Sequence, residues 1–282
     1  MRYLRASFRL LILCGATAAY YLRWLCGLPF VSAFPERARS WRGRNFSGWA
    51  RASARIVGMK VNAHNAPPAS PFLLVSNHLS YVDIAVLESQ VDCAFVAKSE
   101  VANWPILGFV CRTLGTIFVD RKQKRDVLRA MAQAKDTLNQ GLGVVLFPEG
   151  TSTRGPTTLP FKSSLLEFAA QRRMPVHYAS INYVVPHHEP PAQQSVCWGG
   201  TMTFPGHLFR LLQLSEFEAN VTFGLQPILN DDRRVLAAEL RSAVNAQLMQ
   251  FGAESYVPIR SGTNHENPNS HFIADDHPGD RR

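Results

Sequence analysis

Residues 72–98 read FLLVSNHLSYVDIAVLESQVDCAFVAK. The first six, 72–77, form an apolar run that closes on Ser76-Asn77. Residues 81–90 then place apolar side chains at helical spacing, and 93–98 form a second apolar run. Short apolar runs bounded by polar turn residues read as strands buried on both faces, and the stretch between them reads as a helix. Strand, helix and strand in immediate succession make a crossover unit with parallel strands.

The alternation continues downstream. ILGFVCRTLG (106–115) reads as a short helix and TIFVDR (116–121) as a third strand. A long helix from Asp126 to Gln140 carries Val127, Met131, Ala134 and Leu138, and Gly141 and Gly143 end it. VVLFPEG (144–150) is a fourth strand, KSSLLEFAAQRR (162–173) a helix, and VHYASINYV (176–184) a fifth strand. PHHEPPAQQ (186–194) reads as a loop, 195–228 as further strands around a short helix near 206–214, and 232–250 as a last helix. The expected fold class is α/β, a mostly parallel central sheet flanked by helices, with an N-terminal membrane-anchoring helical segment.

The N-terminus carries that last expectation. Arg2, Arg5 and Arg9 precede an apolar run over 10–22; Arg23 interrupts it, and a second run covers 24–34. A signal peptide fits less well, because apolar character resumes beyond Arg23 and no small-x-small cleavage pattern follows. The first run is shorter than the roughly 20 residues a spanning helix needs. Gly27-Leu28-Pro29 suggests a break. The segment is expected to be a helix or helical hairpin that crosses the bilayer once or lies in one leaflet.

Charge supports an anionic partner. The chain has 282 residues, 46% of them hydrophobic, and a formal net charge of +9. Residues 35–55 hold six arginines and one acid, Glu36, directly after the apolar segment. Basic residues in that position suit anionic lipid headgroups. No zinc-finger spacing, RNA-binding aromatic motif or basic zipper is present, so an anionic membrane surface is expected and nucleic acid is not. Cys14, Cys26, Cys93, Cys111 and Cys197 are scattered without a C-x-x-C pair, which argues against a disulfide framework and agrees with a reducing compartment. The organisation expected is an anchor over 1–35, a basic helical connector over 36–58, a main domain over 59–260 and a polar, disordered tail over 261–282.

Chemistry-bearing residues gather at predicted strand ends. His78 and Asp83 follow the first strand, Lys98 ends the second, Asp120-Arg121 ends the third, and FPEGTSTRG (147–155) ends the fourth. In an open α/β sheet, ligands bind outside the carboxyl ends of the strands. Ser80 and Asp83 match a helix capping box, with the helix starting at Ser80. The alternative is a general base, His78, oriented by a carboxylate. Spacing alone does not choose between them. The cations with the Gly150-Thr151-Ser152 turn suit an anion. The Walker pattern is absent. His187-His188-Glu189 lacks the spacing of a metal site. Phe204-Pro205-Gly206 and 207–214 read as ordinary core, with an acyl-chain groove or a membrane-facing surface as the alternatives.

Taken in order, NHLSYVD (77–83), GTIFVDR (115–121) and FPEGTS (147–152) resemble three motif blocks of the glycerolipid acyltransferase family, that of the 1-acylglycerol-3-phosphate acyltransferases. The lead-in over 95–115 has the same character, and the likeness runs from about residue 70 to 185. The resemblance implies that His78 is the general base and Asp83 its partner. It implies that Arg121, Glu149, Gly150 and Thr151 bind the glycerol phosphate of the acceptor, with Lys98 a further phosphate contact. The implied reaction moves a fatty acyl group from acyl-CoA or acyl carrier protein to lysophosphatidic acid, giving phosphatidic acid without metal or cofactor. The implied location is the cytoplasmic face of the inner membrane. Three departures stand out: Ser152 where an arginine often follows the Glu-Gly-Thr turn, Tyr178 where a second proline is common, and Ser164 where a glycine is common. They keep open another lyso-lipid acceptor, such as a lyso-ornithine lipid or a lysophospholipid, and a non-catalytic lipid-binding role.

Overall fold

A computed structural model of the chain describes residues 1–104, 107–120, 123–200 and 202–255. Arg121 and the tail expected to be disordered, 261–282, lie outside the described residues. In chain order the elements are α1 (Arg2–Val31), α2 (Pro35–Val57), β1 (Met59–His64), β2 (Leu73–Ser76), α3 (Val82–Glu88), β3 (Cys93–Lys98), α4 (Leu107–Thr113), β4 (Ile117–Val119) and α5 (Lys124–Asn139). Then follow β5 (Gly143–Leu146), α6 (Glu167–Gln171), β6 (Val176–Val184), α7 (Ala192–Ser195), α8 (Phe204–Leu211), β7 (Phe217–Phe223) and α9 (Arg233–Ser255).

The strands form one sheet in the order β1-β7-β6-β2-β5-β3-β4. Every pairing is parallel except β6 with β7. β2 sits at the centre, and its four residues are all buried. Leu74 faces a core shared with Val82, Val86 and Leu87 of α3, whereas Leu73 and Val75 face α5 and α9 through Ala130, Ala134, Leu236 and Leu240. A strand covered by helices on both faces has no solvent side, so its sequence is apolar throughout instead of alternating. This arrangement brings the carboxyl ends of β2, β3 and β5 to one edge of the sheet.

α1 differs from the sequence expectation. It runs unbroken through Gly27 and past Pro29 to Val31. A Cβ at Gly27 would lie 2.3 Å from the Trp41 indole of α2. The glycine therefore permits close approach of two helices, and the hairpin is formed by α1 and α2 together. Pro29 has no N–H to give the Leu25 carbonyl, and the helix ends two residues later. Among the described residues, α1 is the one helix long and apolar enough to cross a membrane.

Other differences are smaller. β1, from the mixed polar and apolar MKVNAH, is a further strand that pairs in parallel with β7 at the sheet edge. Among the described residues of 195–228, β7 is the one strand, and it follows α8. The 162–173 helix is a 3₁₀ turn followed by α6, and the 186–194 loop ends in α7.

Candidate active site

The site begins where β2 stops. The Asn77 carboxamide donates to the Ile181 carbonyl at 2.9 Å and accepts from the Ile181 N–H at 2.7 Å. It thereby adds one side-chain rung to the β2–β6 seam and aims the next residue off the sheet.

That residue is His78. Its ring stacks on Phe147 of the third block, with centroids 4.2 Å apart and planes 20° from parallel. Nδ1 lies 2.7 Å from Asp83 Oδ2. A carboxylate can only accept, so Nδ1 carries the proton and Nε2 keeps a lone pair. Asp83 is fully buried. Its Oδ2 also accepts from the backbone N–H groups of Leu79 at 2.7 Å and Ser80 at 3.0 Å. Its Oδ1 accepts from the Tyr183 hydroxyl at 2.6 Å.

These contacts revise the capping reading. Asp83 does bond the Ser80 N–H, as the acidic half of a capping box should, but α3 starts at Val82 and the buried Ser80 hydroxyl finds no partner among the described residues. One carboxylate closes the loop and holds the imidazole at once.

The third block braces the same loop. Glu149 is 2% exposed, its Oε1 accepting from His78 N–H at 2.8 Å and its Oε2 from Leu159 N–H at 2.8 Å. Burial pushes its carboxyl above the ordinary range, and the two backbone N–H groups oppose that shift. Thr153 N–H returns a bond to the His78 carbonyl at 2.8 Å. Gly150 turns the chain with φ 78°, a left-handed conformation that a side chain would strain.

Outside this frame lies a cavity of about 360 Å³ bordered by His78, Lys98, Gly150, Thr151 and Ser152. Ile84, Phe95, Val96, Val101 and Trp104 are among its apolar lining residues. Of the residues expected from sequence, His78, Lys98, Gly150 and Thr151 border the cavity. Asp83 and Glu149 stand behind it, and Arg121 is outside the described residues.

Sequence reading did not single out two parts of the site. Trp198-Gly199-Gly200 forms one wall, fastened by a bond from Trp198 N–H to the Leu79 carbonyl at 2.8 Å. Trp198 meets Trp104 edge-on, with centroids 5.4 Å apart. The other is Tyr183, which lies one hundred positions from its partner Asp83. No local pattern marks either one.

Electrostatics select the reactive group. Cys111 borders the cavity, but burial pushes its thiol up to about 11, so it stays protonated and is a poor nucleophile. Burial pushes Cys197 up to about 12, with Asp83 adding to the effect. His207, whose Nδ1 lies 3.1 Å from the Tyr81 hydroxyl, is lowered by burial to about 4 and is neutral at pH 7. Among the described residues, His78 is the imidazole that both borders the cavity and is backed by a carboxylate. Such a pair can take a proton from a hydroxyl and return it to a leaving group.

Residues 59–183 match the family model described as Acyltransferase. The chain is 35% identical over 199 residues to the lyso-ornithine lipid O-acyltransferase of Rhizobium meliloti, covering 67% of each chain. It is 26% identical over 196 residues to the 1-acyl-sn-glycerol-3-phosphate acyltransferase of Neisseria gonorrhoeae, covering 69% of this chain and 76% of that one. The fold matches the crystal structure of the 1-acyl-sn-glycerophosphate acyltransferase of Thermotoga maritima with a TM-score of 0.68 at 20% identity, over 90% of this chain and 98% of that one.

Proposed function

The chain belongs to the glycerolipid acyltransferase family, and on that premise we propose that it transfers a fatty acyl group from an acyl thioester to the free hydroxyl of a lyso-lipid, with His78 as general base. The observation that carries the proposal is the His78–Asp83 pair, 2.7 Å apart, at the edge of a cavity lined by both polar and apolar residues.

The chemistry follows from the geometry. The acceptor hydroxyl approaches Nε2, which takes its proton as the oxygen attacks the thioester carbonyl. Asp83 stabilises the imidazolium that forms. The tetrahedral intermediate collapses, the carbon–sulfur bond breaks, and the thiolate of the donor, CoA or acyl carrier protein, recovers the proton from Nε2. No acyl-enzyme is needed because the thioester is already activated. The apolar lining residues of the cavity receive the acyl chain. Lys98 and the Gly150-Thr151-Ser152 turn receive the acceptor's anionic group, with Arg121 assigned to the same role. Glu149 acts on the acceptor indirectly, by holding the His78 backbone, since both of its oxygens are engaged.

For the acceptor we favour a lyso-ornithine lipid, because identity is higher to the relative named for that substrate. Lysophosphatidic acid is the second reading, supported by the Neisseria relative and by the cation and hydroxyls at the strand ends. Purified protein given either acceptor with acyl-CoA or acyl carrier protein separates them. A higher kcat/KM for the lyso-ornithine lipid is expected, and preference for lysophosphatidic acid overturns that assignment while leaving the reaction type intact.

The N-terminus is proposed to lie in one leaflet on the cytoplasmic side. Arg9 donates to the carbonyls of Leu214 and Ser215, Arg5 to that of Gln213, and Arg2 pairs with Glu189. Farther along α1, Tyr21 bonds Thr113 of α4. The first turns of the helix and Tyr21 are thus fastened to the α/β domain, whereas Leu4, Phe8 and Leu11 are exposed. A helix held along the domain surface embeds one apolar face without crossing.

A further inference from the structure

We infer that Tyr183 is a positioning residue for the reaction, holding Asp83 so that Asp83 can hold His78. This rests on the reading of His78 as general base.

Four donors surround the Asp83 carboxylate. Three of them, His78 Nδ1–H and the N–H groups of Leu79 and Ser80, converge on Oδ2. A carboxylate held only through Oδ2 can still rotate about its Cβ–Cγ bond, carrying the imidazole with it. The Tyr183 hydroxyl, 2.6 Å from Oδ1, fixes that rotation. Tyr183 is itself rigid. It lies on β6, is 5% exposed, and packs edge-on against Phe217 of β7. Two residues earlier on the same strand, Ile181 receives the Asn77 carboxamide. One strand therefore aims the histidine through Asn77 and orients its carboxylate through Tyr183.

The phenol remains a donor. Burial together with the neighbouring Asp83 charge raises its ionisation well above the ordinary tyrosine range. The other titratable groups facing the pair are Glu149 from the third block, Tyr81 at the start of α3 and Cys197 from the segment before α8. Burial raises all three, so Tyr81 and Cys197 stay neutral near pH 7.

Two effects separate positioning from packing. Removing the hydroxyl loosens the carboxylate, which lowers kcat and leaves KM for the acceptor unchanged. It also leaves more negative charge on Asp83 to stabilise the imidazolium, which moves the acid limb of the kcat/KM profile to higher pH. Loss of packing alone does neither.

The test measures kcat, KM and the pH profile of acyl transfer for wild type, Tyr183→Phe and His78→Ala. The expected result for Tyr183→Phe is about a 10- to 100-fold fall in kcat, the range for one hydrogen bond to a charged group, with the acid limb displaced upward. If Tyr183→Phe keeps wild-type kcat and pH profile while His78→Ala is inactive, the inference is wrong and the general-base reading stands. If His78→Ala is fully active, the general-base reading fails first. Should Tyr183→Phe not fold, 3-fluorotyrosine at position 183 decides, because the more acidic phenol donates more strongly. Displacement of the acid limb to lower pH supports the inference, and an unmoved profile overturns it.

Discussion

Asp83→Asn separates the two jobs of one carboxylate. The substitution removes the charge and keeps the shape. The amide oxygen can take the place of Oδ2, where it still accepts from Leu79 N–H, Ser80 N–H and His78 Nδ1–H. The amide nitrogen then occupies the Oδ1 site, where the Tyr183 hydroxyl can rotate from donor to acceptor. Every hydrogen bond at the site survives in a weaker, neutral form. The fold should lose only about 1 kcal/mol, which lowers Tm by roughly 2–4 °C for a chain of this size. Catalysis should lose far more, because the imidazolium formed during attack no longer faces a buried negative charge. The equivalent change in a serine protease triad costs about 10⁴ in kcat; with an activated thioester and no acyl-enzyme, a fall of about 10²–10⁴ is expected here, the span of general-base catalysis. Thermal melts and steady-state acyl transfer on the same preparation measure both quantities. A variant with intact kcat and a collapsed Tm refutes the reasoning, since Asp83 would then only cap the loop.

Three further outcomes follow from the same contacts. Ser80→Ala should change stability by less than about 0.5 kcal/mol, as for a substitution that removes no bond; a loss of 1 kcal/mol or more in urea denaturation would reveal a cap that the buried, unpartnered hydroxyl does not provide. His207, lowered by burial to about 4 in the folded chain, binds fewer protons than an unfolded histidine titrating near 6.5. Stability should therefore rise with pH across that window, and His207→Gln should flatten the slope of Tm against pH. Leu4, Phe8 and Leu11 lie exposed at helical spacing on α1. Their joint replacement by Glu should abolish co-sedimentation with anionic vesicles and leave the melting temperature near wild type; unchanged vesicle binding would move the membrane-facing surface elsewhere.

The strands most legible in the sequence are those with no solvent side. β3 occupies the residues expected from the short apolar run CAFVAK, and β6 those expected from VHYASINYV, a stretch rich in β-branched and aromatic residues. β1 carries no clear strand signal because MKVNAH mixes polar and apolar residues, as suits an edge strand paired on one side only. Strand order and the antiparallel turn of β6 against β7 are tertiary outcomes with no local signature. At the site, His78 and Asp83 are neighbours in sequence and could be paired on paper. The family resemblance implies that Glu149 binds the acceptor, whereas its oxygens serve the N–H groups of His78 and Leu159. Tyr183 and Trp198 arrive from distant positions through sheet pairing and a loop return, which spacing cannot encode.

The central claim is that His78 removes the acceptor proton. Single-turnover acyl transfer by His78→Ala, with saturating lyso-lipid and a preloaded acyl thioester, tests it without interference from product release. The account predicts a fall of at least about 10²-fold in the chemical step, the lower bound for losing a general base, with acceptor binding preserved. A chemical step at the wild-type rate would contradict it.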